Sequence, residues 1–412
     1  MLSTLDRQIM YPIKSFFMLI TSISSIRSIL YLVPIGLFCL VPNIRSNDSD
    51  FYGGGGGILF PVFNDNVSVK KEVLKISYNK IWRKYGYQSD DLPLHVEVDY
   101  EFYNHGGEQE LLIGFESMLG GEHHDEIPNI ANFKVIVNGL LVPHQSKIIH
   151  DPYAVFNSEK ANKIDSIFSN DSDEIPNRYI YYFKAVFKQG VNRITHSYDC
   201  NFVSNTVGNY AHDLSYTYDL MPALRWKNRQ IDDFTLILDF GDLSHFQVYS
   251  LMDSDKDLWR FTGGGKINVE VDTNYSSGDD TNDRTTYLSL FCQKGRVEYK
   301  CKNFKPTNDL DITFRTPLSS NILSFSPEND ASAESSLSEF FKSFNIDDKT
   351  ARRIYRNLPF ARRGYIFKDK LLSDFYKKHT PWYEPNPRYN GNVKDFTKKE
   401  KEIINGIIPF LK

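Results

Sequence analysis

The sequence predicts a mainly β protein, an antiparallel sandwich with room for two subdomains, followed by a small α-helical module. Three observations carry this. Apolar and polar residues alternate at period two across much of 52–325. Aromatic residues reach 14%, with 30 Phe and 25 Tyr, and such side chains favour strands. Beyond residue 345 the period becomes helical and the charge changes sign. Composition sets the outer limits. With 412 residues, 41% hydrophobic, 24% charged and a net charge of −4, the chain is too apolar for wholesale disorder and too long for one small domain. Four Cys are too few for a disulfide scaffold.

The front, 1–46, reads as a targeting segment. Lys14 and Arg27 precede the apolar run Ile29–Val41, and the polar stretch Asn43–Asp50 follows. A basic flank, a short apolar core and a polar exit are the plan of a secretory signal. Phe16–Ile23 could lengthen the run toward an uncleaved N-terminal anchor, but Ser24, Ser25, Arg27 and Ser28 interrupt it. The expectation is an exported protein, in the periplasm, at the cell surface or secreted. Membrane contact is expected only if that segment stays uncleaved.

The β body, 52–325, follows from its runs. Leu94, Val96, Val98, Tyr100 and Phe102 alternate with His95, Glu97, Asp99 and Glu101. Phe234, Leu236, Leu238 and Phe240 repeat the pattern, and Val67–Ser77, Arg178–Lys188, Arg193–Tyr198, Ile267–Val271 and Tyr287–Phe291 resemble it. Asn104–Gly107, Asn138-Gly139, Gln189-Gly190 and Gly263–Gly265 punctuate them as turns. A subdomain break could fall near Val203–Tyr210. Cys292 and Cys301 flank Lys294-Gly295, so a hairpin there would make them a disulfide candidate in an oxidising compartment.

Ser324–Ser338 is small, polar and acidic, and 326–344 reads as a Ser-rich linker. The module, 345–412, holds 16 Lys+Arg and 8 Asp+Glu, a net of +8; the remainder holds 32 and 44, a net of −12. Asp347 or Asp348, Asp369 and Thr397 stand as N-caps before three helical runs, and Pro359 reads as the end of the first.

Within this module Phe360-Ala361-Arg362-Arg363-Gly364, followed by Tyr365-Ile366-Phe367, is similar to the signature of the YARHG domain. The run Pro381-Trp382-Tyr383-Glu384-Pro385-Asn386-Pro387-Arg388-Tyr389 matches the family's aromatic–proline segment. Phe360 stands in place of the signature Tyr, and Arg363 in place of its His. The resemblance implies an exported, envelope-associated bacterial protein and brings no established activity. More weakly, the Gly-rich start before Val67–Ile76, and Tyr218, Trp226 and Ile231 before Phe234–Phe240, resemble a family of exported bacterial β-rich proteins without known chemistry.

Physically, the signature residues admit two readings. Trp382, Tyr383 and Tyr389 can cover short helices that need large side chains for a core. Alternatively, with Arg362 and Arg363, they can form a binding groove. The two arginines cannot both simply face inward; one is expected to cap carbonyls or to pair with Asp369 or Asp374.

Candidate chemistry is sparse. Gly53–Gly57 and Gly263–Lys266 lead into strands, not into the helix a phosphate loop requires, so the first reads as a flexible lead-in and the second as a turn. Asp253–Asp257 has calcium-loop spacing but Leu258 and Gly264 where Gly and Glu are needed, and reads as a solvated acidic turn, as do Asp171–Glu174 and Gly278–Asp283. His123-His124-Asp125-Glu126 is extended and splits its histidines to opposite sides. No nucleophile elbow is present, and Glu97, Asp99 and Glu101 lie on the expected solvent face. No metal or cofactor is expected. The reading is a non-catalytic envelope protein whose module binds an envelope component or another envelope protein. A wall- or polysaccharide-acting hydrolase and a structural assembly subunit are the alternatives. Clustered cations could hold nucleic acid, which export argues against.

Overall fold

A computed structural model describes residues 55–57, 60–61, 65–78, 93–118, 130–149, 178–207, 211–252, 255–271, 286–315 and 341–406. The expected targeting segment, residues 326–340 of the Ser-rich linker, His123–Glu126, Asp171–Glu174 and Gly278–Asp283 lie outside them; the last four residues of that linker, 341–344, are described, and Phe341 is buried in the module's core.

The strands run β1 (Gly55–Gly57), β2 (Phe60–Pro61), β3 (Val67–Tyr78), β4 (Leu94–Asn104), β5 (Gln109–Met118), β6 (Ile130–Val137), β7 (Leu140–Val142), β8 (Gln145–Ile149), β9 (Arg178–Phe187) and β10 (Gly190–Cys200). They continue as β11 (Val203–Val207), β12 (Ala211–Asp219), β13 (Ile231–Asp239), β14 (Ser244–Tyr249), β15 (Trp259–Phe261), β16 (Gly264–Val271), β17 (Thr286–Lys294), β18 (Val297–Phe304) and β19 (Leu310–Arg315). Helices follow: residues 341–343 are helical, and then come α1 (Asp348–Arg356), α2 (Leu358–Arg362), α3 (Lys370–His379) and α4 (Lys398–Ile404). Mainly β structure with a helical C-terminus is therefore the observed class.

Among the described residues, two sheets face each other. One has 11 strands along β16-β17-β14-β19-β12-β1-β5-β9-β8, with β11 on β12 and β2 on β5; the other has 8, ordered β15-β18-β13-β3-β4-β10-β6-β7. Alternation sets the faces. Leu94, Val96, Val98, Tyr100 and Phe102 of β4 are buried, while Asp99 is exposed and Glu97 and Glu101 are half-buried. On that outer face Lys75 meets Glu97 at 2.9 Å, Thr195 donates to Asp99 at 2.6 Å and Arg193 meets Glu101 at 3.3 Å. Each fully buried Val, Leu or Phe contributes about 1.5–3 kcal/mol relative to exposure. Asn138 and Gly139 both adopt positive φ, 50° and 83°, and turn β6 into β7.

Several expectations change. Two pairs are parallel, β1 with β12 and β3 with β13, so the sheets are not wholly antiparallel. The β3–β13 pair joins the two halves of the chain, and one buried cluster runs through both. Gly55–Gly57 pair with β12 and β5 instead of forming a loose lead-in, and Gly264 and Gly265 already belong to β16. The hairpin expected to join Cys292 and Cys301 does not form: β17 pairs with β14 and β16, whereas β18 pairs with β13 and β15. Lys294-Gly295 is a corner between sheets, and both thiols are free. Burial holds the Cys292 thiol up at about 12. Asp255 is not solvated either. It is 1% exposed and accepts the Leu251 N–H at 2.8 Å, holding its own turn.

Candidate binding site on the C-terminal module

Local chemistry fixes the module's helices. Asp347 accepts from Thr350 N at 2.9 Å and starts α1; Asp369 accepts from Leu372 N at 3.1 Å and starts α3. Thr397 and Glu400 form a reciprocal capping box on α4, with bonds of 3.1 and 2.8 Å. Pro359 opens α2 instead of closing α1. A first-turn Pro loses no hydrogen bond there, because that N–H has no helical partner.

The signature occupies α2 and its exit. Gly364 has φ +76°, and an added Cβ would lie 2.8 Å from Asn386 N. That same N–H donates to Gly364 O at 2.7 Å, so the signature turn is stitched to the aromatic–proline run. Arg362 is fully buried. Arg363 contacts both Glu400 oxygens at 2.7 and 3.0 Å, donates to Pro359 O at 2.9 Å and Asp395 O at 3.2 Å, and lies 4.2 Å from the Phe396 ring centre. It thus both caps carbonyls and pairs with a carboxylate. The carboxylate is Glu400, however; Asp369 pairs with Arg353 and Asp374 with Lys370.

The aromatic–proline run faces two ways. Its side chains enter the module: Trp382 and Tyr383 are each 4% exposed, and Tyr383 OH donates to Tyr365 O at 2.7 Å. Its backbone faces the β body. Lys266 donates to Tyr383 O at 3.3 Å, Asn268 to Pro381 O at 3.0 Å and Gln293 to Glu384 O at 2.8 Å. Leu243 and Phe291 of the body join the module's buried cluster. These three bonds end on carbonyls, so chain shape and not charge pairing reads this seat. Tyr389 is half-buried and donates to Asn392 O at 2.8 Å. Of the five candidate binding residues, Arg362, Trp382 and Tyr383 are enclosed and Arg363 is committed within the module. Tyr389 alone keeps a substantial surface.

The open surface lies elsewhere. A groove of about 330 Å³ is lined by Phe344, Ile346, Leu371 and Phe375, with Asp374, Lys378 and His379 around it. Phe344 is 41% and Leu371 40% exposed. The His379 ring lies 4.3 Å from Phe344 and 5.0 Å from Phe375, centre to centre. Burial, then Lys378, holds His379 below its ordinary value, so it is neutral at pH 7 and Lys378 supplies the positive charge. Asp374 is paired with Lys370, which leaves Lys378 to favour an apolar group carrying a negative charge. The signal that could have found it is on α3. Leu372, Phe375 and Tyr376 fill the buried stripe, which leaves Leu371 as a surplus apolar residue off that stripe.

Among the described residues, no group of three or more His, Cys, Asp or Glu is placed to hold a metal. None of their helices is long and apolar enough to cross a membrane.

With this geometry in place, the module's class can be stated: residues 335–410 match the YARHG domain. No curated protein matches the sequence. One similar solved structure is that of a proposed nutrient-binding protein from Legionella pneumophila subsp. pneumophila str. Philadelphia 1. It is 18% identical, with 86% of this chain and 97% of that one covered and a TM-score of 0.43.

Proposed function

We propose that this is an exported, non-catalytic envelope protein, and that its YARHG module binds an anionic, partly apolar envelope component or envelope protein through the Phe344–His379 groove. One observation carries the reading. The module's signature side chains are enclosed or paired within it, while four apolar residues line an open groove elsewhere on it, with Lys378 and the Lys370-paired Asp374 around it. The basic flank and apolar run at the front of the chain, and the occurrence of YARHG domains in extracellular bacterial proteins, support the exported setting.

Binding here combines two terms. Removing the apolar floor from water supplies most of the affinity and resists salt. Lys378 and its basic neighbours steer an anionic partner, a contribution that salt screens. The test is sedimentation of the full chain with isolated bacterial envelope fragments over a salt series, with DNA as competitor. The expected result is binding that weakens but persists at about 0.5 M salt, that DNA does not displace, and that falls at least about tenfold in Leu371→Asp, equivalent to about 1.4 kcal/mol. Binding abolished by salt and by DNA alike would reduce the module to generic positive charge and overturn the reading.

A further inference from the structure

Between the two sheets lies a seam of ionisable side chains walled by aromatic rings. Glu72 on β3 is 0% exposed, and neither carboxyl oxygen has a hydrogen-bond partner among the described residues. Across the ladders it faces Tyr100 of β4 on one side and Phe234 of β13 on the other. The Tyr100 hydroxyl is already engaged 3.1 Å from Tyr218 OH of the facing sheet. In the next inward row His196 of β10 is 1% exposed, and neither ring nitrogen has a partner among the described residues. Its ring is enclosed by Tyr100, Phe115, Phe133 and Tyr198, at centre distances of 5.8, 4.9, 6.0 and 6.1 Å. Tyr198 OH in turn lies 2.9 Å from Tyr216 OH, again across the sheets. Cys200, Asp199 and Asp219 are the other ionisable groups acting on these residues. Among the described residues, none of the groups facing Glu72 is a lysine or an arginine.

We propose that this seam is a proton-dependent latch between the two sheets, closed only while Glu72 carries its proton and His196 is neutral. A carboxylate formed here would have at most the Tyr100 hydroxyl, which Tyr218 shares, and no cation to offset its charge. Both its oxygens are sealed from solvent, so hydrating the charge requires the seam to open. A buried charge without a partner costs several kcal/mol, so the seam stays protonated or opens. Burial pushes the Glu72 carboxyl from 4.5 up to about 8, opposed only by a weaker hydrogen-bonding pull from the Tyr100 hydroxyl, which lies outside good hydrogen-bond geometry. Burial likewise takes His196 from 6.5 down to about 3. At neutral pH the folded body therefore holds a proton at Glu72 that the unfolded chain has released. As pH rises toward 8 this proton is lost and the latch loosens.

The test uses the full chain and urea unfolding followed by intrinsic fluorescence, from pH 6.5 to 8.5, for the wild type, Glu72→Gln and Glu72→Leu. One extra proton in the folded state predicts that the wild-type folding constant falls nearly tenfold per pH unit up to about 7.5 relative to either variant, and levels off above about 8. Amide exchange along β3, β4, β10 and β12, taken relative to the base-catalysed rate of an unstructured chain, should lose protection at alkaline pH in the wild type alone. Parallel pH profiles for wild type and variants would overturn the proposal. Should both variants fail to fold, wild-type refolding at pH 7.5 in a weakly buffered indicator solution decides it: uptake attributable to one proton supports the latch, and no uptake refutes it.

Discussion

Arg363 and Glu400 form the ion pair on which the module closes, with side chains 13% and 1% exposed. Removing one partner leaves the other buried without its counter-charge, a loss of about 3–5 kcal/mol in comparable sites. Arg363→Ala and Glu400→Ala should each unfold the module's helices at markedly lower urea, read by circular dichroism. The double variant should cost less than the sum, because the two act as one unit. Gly364→Ala is predicted to be as damaging for a different reason. Its φ of +76° disfavours any Cβ, and the Asn386 and Glu384 backbone leaves no room for one. A loss of more than about 2 kcal/mol is expected by the same unfolding measurement, from strain and overpacking together. Phe360, where the signature has Tyr, packs its ring 5.1 Å from Phe396 and 6.0 Å from Tyr365.

Helices and strands differ in how much of them could be read in advance. The caps at Asp347, Asp369 and Thr397 were legible because capping is local, its donor and acceptor lying two or three residues apart. Thr397→Ala should cost about 1 kcal/mol, and the Glu400 amide should exchange faster with solvent. Little further loss is expected, since Arg363 still holds the Glu400 side chain. Strand alternation was legible for the same reason: Leu94–Phe102 and Phe234–Phe240 each show which face is dry. Sheet membership was not. Nothing local distinguishes a hairpin at Lys294-Gly295 from a corner where the chain changes sheet, so the pairing expected of Cys292 and Cys301 failed. Glu72 escaped attention because its neighbours Lys70, Lys71 and Lys75 make the strand look solvent-facing there, and only the bulge near Lys71 turns it inward. The signature residues were found by pattern, but their enclosure follows from Gly364–Asn386 pairing, which no local spacing reveals.

For the molecule as a whole, the two buried groups shape stability at both ends of the pH scale. His196 is neutral when folded down to about 3, whereas the unfolded ring takes a proton below 6.5, so its contribution is lost as pH falls between these values. Glu72 acts oppositely, its contribution falling as pH rises from 4.5 to about 8. Between 4.5 and 6.5 the two slopes cancel, which places a plateau there with decline on either side. Calorimetric Tm against pH should show it, and His196→Leu should flatten the acid limb relative to the wild type. The same whole-molecule view separates two roles in the module: its signature and aromatic–proline run close the fold and seat it on β16 and β17, and the proposed binding falls to the groove. The most direct measurement compares envelope-fragment binding by the full-length wild type, Leu371→Asp and Tyr389→Phe, each first confirmed as folded by circular dichroism. The account predicts that Tyr389→Phe binds as the wild type does and that Leu371→Asp loses binding. The reverse pattern, with Leu371→Asp unaffected and Tyr389→Phe impaired, would contradict it and return recognition to the signature face.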